Sequence, residues 1–182
     1  MSAKDQGTDT ATVAGRWQVV PRTLCFITHG DDILLLKRAM HRRVYPGYYN
    51  GVGGHIERGE DPLTSAIREI HEETGLAVDK VHFCGSTIID AGHDTGILLF
   101  IFTAQAISRD FVDSDEGTLQ WLPLQQVLDG IIQTGVNDLP LVEDLPIILP
   151  RIFRGDGLPF FAHVSYDHQD HLQFRVAHDV KP

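Results

Sequence analysis

Cysteine is scarce in this chain: Cys25 and Cys84 are the two among 182 residues, each in an apolar, β-rich stretch, and no CxxC pair exists. A structural zinc site therefore has no support, and two buried free thiols in a reducing cytoplasm are expected. Long apolar runs are missing as well. None approaches the roughly 18 residues of a membrane-spanning helix, so no membrane association is expected. Positive charge is short: 15 Lys and Arg stand against 25 Asp and Glu, for a net charge of −10. That balance argues against a protein gripping duplex nucleic acid, which needs a basic face. A small phosphorylated ligand stays open, because a bound divalent metal inverts the local sign. The ten histidines form no metal-spaced set on a helix, and His168 and His171 read as solvated turn residues.

What is present is ordinary for a soluble globular protein, with 42% hydrophobic and 22% charged residues. Residues 1–15 are small and polar and lack the apolar stretch of a signal peptide. They are expected to be flexible, with residues 16–182 forming a single domain. Arg22–Thr28 and Ile33–Arg38 read as strands joined by turn chemistry at His29-Gly30-Asp31-Asp32. The clearest helix is Pro62–Thr74. Asp61 suits its N-cap, Pro62 its first position and Gly75 its terminator, and Leu63, Ala66, Ile67 and Ile70 follow the spacing of a buried stripe. Val81–Ile89 and Ile97–Ile107 read as long strands, and Gln120–Leu122 as a short one. Leu124–Leu128 and Glu143–Phe153 read as helices, and Phe160–Tyr166 with Leu172–His178 as a closing hairpin. The expected class is α/β (α+β): a mixed β-sheet sandwiched between helices, with a C-terminal β-hairpin.

The helix carries an anomaly. Glu69, Glu72 and Glu73 share one face and repel one another. Glu72 and Glu73 also lie in the last turn, where the helix dipole disfavours anions. A hard divalent cation such as Mg²⁺ relieves both penalties and keeps waters for a phosphate substrate. Acid clusters on helices are usually solvated faces, but a longer pattern changes the odds. From Gly54 the chain reads Gly-x5-Glu60-x7-Arg68-Glu69-Ile70-x-Glu72-Glu73-x-Gly75-Leu76. A chance match to all these positions is roughly one in a million.

This pattern resembles the box of the Nudix hydrolases, which cleave a nucleoside diphosphate linked to a further group. The resemblance implies the Nudix fold and a Mg²⁺ cofactor, with Mn²⁺ as a substitute. Its metal ligands would be Glu69, Glu72 and Glu73, with the backbone carbonyl of Gly53. Arg68 would orient the glutamates, and Glu60 would support from the loop. Glu73 is the preferred general base, with Glu69 and Glu116 as rivals. Tyr49-Asn50-Gly51-Val52-Gly53-Gly54 resembles the approach to the box in MutT-like oxidised-purine triphosphatases. There the position of Asn50 reads the purine edge, although Asn50 serves equally well as a turn residue before Gly51. Ser114-Asp115-Glu116 before Trp121 resembles the segment supplying a further metal-binding glutamate, here Glu116; a solvated acidic turn is the alternative. Asp144 is the candidate for the base edge over Asp138 and Glu143, against an N-cap role for Glu143 or Asp144. Lys37 and Arg38 are expected at the phosphates, while Arg42 and Arg43 fit that role or a solvated loop equally.

The expected function is Mg²⁺-dependent hydrolysis of a nucleoside triphosphate, such as 8-oxo-dGTP, to a monophosphate and pyrophosphate. Alternatives are another Nudix hydrolysis, on ADP-ribose or a nucleotide sugar, and a non-catalytic nucleotide sensor, which the intact carboxylate set disfavours. The stretch after the box lacks the Pro and Tyr of some ADP-ribose and dinucleoside-polyphosphate relatives, and no tandem-Trp motif of the NADH-cleaving branch is present. The partner is a small nucleotide. Nudix proteins often form homodimers, and nothing in the sequence marks an interface. Replacing Glu73 by Gln is expected to cut turnover by orders of magnitude while leaving circular dichroism and melting behaviour intact. Near wild-type rates in that variant would remove the catalytic role assigned to this helix.

Overall fold

A computed structural model of the chain describes residues 14–134 and 139–177, with backbone alone at 132–134. The expected flexible segment 1–15 lies almost wholly outside the described residues, as do Asp138 and His178. The elements run β1 (Gln18–His29), β2 (Asp32–Arg38), β3 (Tyr49–Asn50), α1 (Pro62–Thr74), β4 (Val78–Asp90), β5 (Thr95–Ala106), β6 (Gly117–Pro123), α2 (Leu124–Thr134), α3 (Leu145–Arg154), β7 (Phe160–Tyr166) and β8 (Leu172–Val176). No helix among the described residues is long and apolar enough to cross a membrane.

The strands form one mixed sheet in the order β3-β2-β1-β5-β4-β7-β8, with β6 on β2. Its parallel pairs are β1 with β5 and β4 with β7. β1 and β2 begin as the expected hairpin, with Ile27 opposite Leu34 and His29 opposite Asp32. They then part. β1 follows β5 along its length, and β2 follows β6. The glycine-rich segment fills the gap. Tyr49 and Asn50 pair with β2, after which Val52 bridges to Cys25 and His55 to Arg22 on β1.

Strict alternation in β1 and β2 sends side chains to two cores. Leu24, Phe26, Ile33 and Leu35 pack with Val127, Leu128, Ile131, Leu145, Ile148 and Leu149 of α2 and α3. Cys25, Ile27, Leu34 and Leu36 pack with Ala66 and Ile70 of α1. The sheet is thus covered by helices on both faces, as expected. Cys25 and Cys84 are free thiols, but only Cys25 is fully buried; Cys84 is half-buried where β4 is bulged.

α1 begins and ends where its caps dictate. Asp61 accepts from the amides of Leu63 (2.8 Å) and Thr64 (3.0 Å), and Gly75 closes the helix in the left-handed region. The buried stripe differs from expectation. Leu63 and Ile67 are 45% and 44% exposed, whereas Ser65, Ala66, Ile70, Glu73 and Thr74 are buried. The helix is turned so that its small residues meet β1. That close approach carries Glu73, seven positions after Ala66, into the interior.

Gly85 marks a second constraint. It lies in the β4 bulge at φ +155°, and a Cβ there would stand 2.4 Å from the Phe160 carbonyl oxygen on β7. Gly85→Ala is expected to lower stability in urea by about 1–3 kcal/mol. An unchanged midpoint would show that β7 yields freely at this contact.

Candidate active site

The site is assembled where the glycine-rich segment crosses from β2 to β1 beneath α1. The carbonyls of Val52 and Gly54 accept from the amides of Cys25 and Thr23. Between them, Gly53 directs its N–H to Glu73 Oε2 at 3.2 Å, and its carbonyl takes no part in the pairing to β1. Gly53 has φ +146°, and a Cβ would meet the Thr23 carbonyl oxygen at 2.2 Å, so no other residue fits without a shift of backbone.

Glu73 is only 9% exposed. Burial raises its pKa to about 8. The Gly53 N–H pulls it back, while the neighbouring Glu116 and Glu69 carboxylates push it further up and Arg38 offsets them. A buried carboxylate between two others, with a deficit of positive charge, is the donor chemistry that a hard divalent cation satisfies.

Arg68 organises the remaining acids. Its Nε and Nη2 donate to Glu60 at 2.6 and 2.9 Å, and its Nη1 donates to Glu69 and Glu72, each at 2.8 Å. Nη2 also donates to the His55 carbonyl, which ties the helix to the loop before it. The Glu60 carboxyl is held at about 2 by Arg68 and by the Glu57 amide, so it stays ionised. Arg42 forms an ion pair with Glu116. Among the described residues no three acidic, His or Cys side chains are gathered as a ready chelating group. The expected set of Glu69, Glu72, Glu73 and Glu116 is near one site but not gathered as a chelate, because Arg68 occupies Glu69 and Glu72 and Arg42 occupies Glu116.

The other expected residues divide. Arg38 is near enough to Glu73 to lower its pKa. Lys37, the next residue on the same strand, projects to the opposite face, where its Nζ stands 5.7 Å from the Tyr49 ring centre. The pair therefore does not act as one phosphate grip. Arg42 is a partner of Glu116 rather than a free loop cation, and Arg43 is exposed. The Asn50 side-chain oxygen accepts from the Gly51 amide at 2.9 Å, the local bond expected of a turn residue. Gly51 is buried against β1.

Asp144 occupies the N-cap position of α3 but makes no capping bond, and its Oδ1 is buried without a partner. Burial raises its pKa to about 6; the backbone amides of Asp144 and Leu145 oppose the shift and the Glu143 charge adds to it. Burial raises the Tyr45 pKa, with Tyr166, Glu143 and Asp144 adding to the shift, and its ring is 5.6 Å from that of Tyr48. Tyr49 joins this region to the sheet through a hydroxyl bond to Gln120 and backbone bonds to Pro140 and Val142. A separate cavity of about 250 Å³, bounded by Cys84, Arg151 and Phe160 among others, shares no residue with the acidic cluster.

Residues 19–144 match the NUDIX domain. The chain belongs to the Nudix hydrolases. The mouse oxidized purine nucleoside triphosphate hydrolase is 32% identical over 107 residues, 58% of this chain and 67% of the mouse protein. The NAD-capped RNA hydrolase NudC of Pseudomonas aeruginosa is 30% identical over 106 residues, 57% of this chain. The match spans 36% of the length of NudC. The crystal structure of a MutT protein from Bacillus halodurans superposes with a TM-score of 0.70 at 26% identity, covering 90% of this chain and 99% of that one. Nudix hydrolases generally use divalent metal ions, in keeping with the oxygen-rich donor set around Glu73.

Sequence reasoning did not single out Tyr45. Asp144→Asn provides a pH test of the buried acid. The native state holds the Asp144 proton more tightly than the unfolded chain does, so the wild type loses stability as pH rises from about 4 through about 6. The Asn variant lacks that loss. Its melting temperature is expected to match the wild type near pH 4 and to exceed it at pH 7.5, by an equivalent of roughly 1–3 kcal/mol. A variant less stable than wild type at every pH would mean that Asp144 is paired as an anion.

Proposed function

We propose that the protein hydrolyses a nucleoside triphosphate, an oxidised purine nucleotide such as 8-oxo-dGTP among its candidates, to the monophosphate and pyrophosphate, with Mg²⁺ as cofactor and Mn²⁺ as a substitute. The observation that carries this reading is the buried Glu73 carboxylate, held on the Gly53 amide beside Glu69 and within the field of Glu116. Glu69, Glu72, Glu73, Glu116 and the Gly53 carbonyl would hold the metal. When bound, it supplies positive charge to offset that of the phosphates.

The chain's own residues account for the rest. A buried carboxylate with a pKa near neutrality is suited to take a proton from water. The water oxygen bonds to phosphorus, the bridging P–O bond breaks and pyrophosphate leaves. Arg68 keeps Glu69 and Glu72 oriented and Glu60 ionised. Arg38 supports phosphate binding from the same side as Glu73. A protonated Asp144 offers a donor to a purine edge, and Asn50 a second contact from the segment before the box. The likeness to the mouse hydrolase over 107 residues supports the purine triphosphate reading.

A second reading, hydrolysis of a diphosphate derivative such as ADP-ribose, a nucleotide sugar or an NAD-type end, is favoured by the likeness to NudC. A Mg²⁺-dependent screen separates the two: 8-oxo-dGTP, ordinary nucleoside triphosphates, ADP-ribose, NADH and nucleotide sugars at low concentration, with product identification. Release of pyrophosphate from a purine triphosphate at the highest kcat/KM is the expected result. Preference for a diphosphate would overturn the triphosphate reading and return Asn50 to a turn role.

A further inference from the structure

The cavity of about 250 Å³ lies between the end of α3 and strands β4 and β5, and it shares no residue with the acidic cluster. The bulge of β4 builds its floor. His82 stands opposite Thr103, but Phe83 pairs with Phe102 and Gly85 with Ile101, so Cys84 is the extra residue between them. A bulge re-aims the side chain it carries. Here the Cys84 Sγ lies 3.5 Å from Thr103 Oγ1 and 3.6 Å from the His82 carbonyl oxygen, and Cys84 and Thr103 both line the cavity. Burial raises the Cys84 pKa against the pull of Thr103, so the thiol stays protonated. The floor is polar and neutral, and it holds no activated nucleophile.

The walls are apolar. Ile152 and Phe153 of α3 and Phe160 of β7 face the cavity from the core shared by α2 and α3. Leu158, 64% exposed on the connection from α3 to β7, lines its mouth. A turn fixes it there: the Leu158 amide donates to Asp156 Oδ1 at 3.0 Å, and Gly157 has φ +77°.

The mouth carries one permanent charge. Arg151 lies in the last turn of α3 and lines the cavity, with its guanidinium carbon 5.7 Å from the Phe160 ring centre. Arg42, Arg68, Arg109 and Arg154 each pair with a carboxylate, whereas Arg151 has no ion pair among the described residues. A guanidinium over a ring offers the ring its face and keeps its planar fork of N–H groups for an acceptor. That fork matches a carboxylate through two parallel bonds. One guanidinium balances one negative charge, and a chain of net charge −10 repels anions of higher charge. The apolar walls suit an apolar remainder of the ligand.

We propose that this cavity is a second binding site, which takes a small monocarboxylate with an aromatic or aliphatic body: the body packs against Phe153 and Phe160, and the carboxylate bonds to Arg151. The site is independent of the hydrolysis proposed above, because it uses none of the residues assigned to that reaction.

The test titrates 3-phenylpropionate, and its neutral counterpart 3-phenylpropan-1-ol, into wild type and Arg151→Gln by calorimetry. In parallel, the rate at which N-ethylmaleimide alkylates Cys84 is followed by mass spectrometry. Cys25 is fully buried, so Cys84 is the thiol that reports. Wild type is expected to bind the acid about 10-fold more tightly than the alcohol, and Arg151→Gln to lose that difference. Saturation with the acid is expected to slow alkylation of Cys84 severalfold. The comparison of acid with alcohol on wild type decides the matter should Arg151→Gln fail to fold. Equal affinity for acid and alcohol overturns the proposal, as does undiminished binding of the acid by Arg151→Gln. Absence of binding overturns it too, and so does binding that leaves Cys84 alkylation unchanged, because the ligand would then lie elsewhere.

Discussion

The contact between the Glu73 carboxylate and the Gly53 amide is the constraint on which the rest of the site depends. It requires α1 to lie close on β1, which the small Ser65 and Ala66 permit. It requires the segment 51–54 to run against β1 at a separation that excludes a Cβ at Gly53. It also requires β1 and β2 to part after their hairpin, so that this segment can enter between them. The first condition is met by packing of α1 on β1, and the second by backbone pairing of the segment to β1.

Around that contact, charge is arranged to be nearly but not fully balanced. Arg68 bonds to three carboxylates and to the His55 carbonyl, and Arg42 holds a fourth carboxylate at Glu116. Glu73 is left with an amide donor and the more distant Arg38, and its pKa rises accordingly. On the opposite side of the balance, Arg38 has no carboxylate ion pair and donates its Nε to the Val44 carbonyl. A surplus of buried acid with a guanidinium nearby is the charge arrangement on which the proposed metal and phosphate binding rests. The acidic net charge of the protein as a whole is no obstacle to such binding, because the complementarity is local.

The buried Asp144 follows a different logic. It stands at the start of α3, a place where a carboxylate usually caps, yet it makes no capping bond. Burial, aided by the Glu143 charge, extends its neutral form up to about pH 6. A neutral carboxyl both donates and accepts, which a capping carboxylate cannot do.

The chain sequence determined the order of the long strands and of the helices, and the bounds of α1. These follow from local rules: an Asp-Pro start, a glycine stop and period-two apolar runs. It determined the buried face of α1 only in part. Leu63 and Ile67 fit the helical period as well as Ala66 and Ile70 do, and only the close approach to β1 selects the small residues and Glu73. That Lys37 and Arg38 diverge follows from the pleat of the strand both lie on, and tertiary structure decided which of the two faces is turned toward α1. It also decided that Arg42, in the loop after β2, reaches Glu116 just before β6. Those relations depend on parallel and antiparallel pairing between segments far apart in the chain, and no local propensity encodes them.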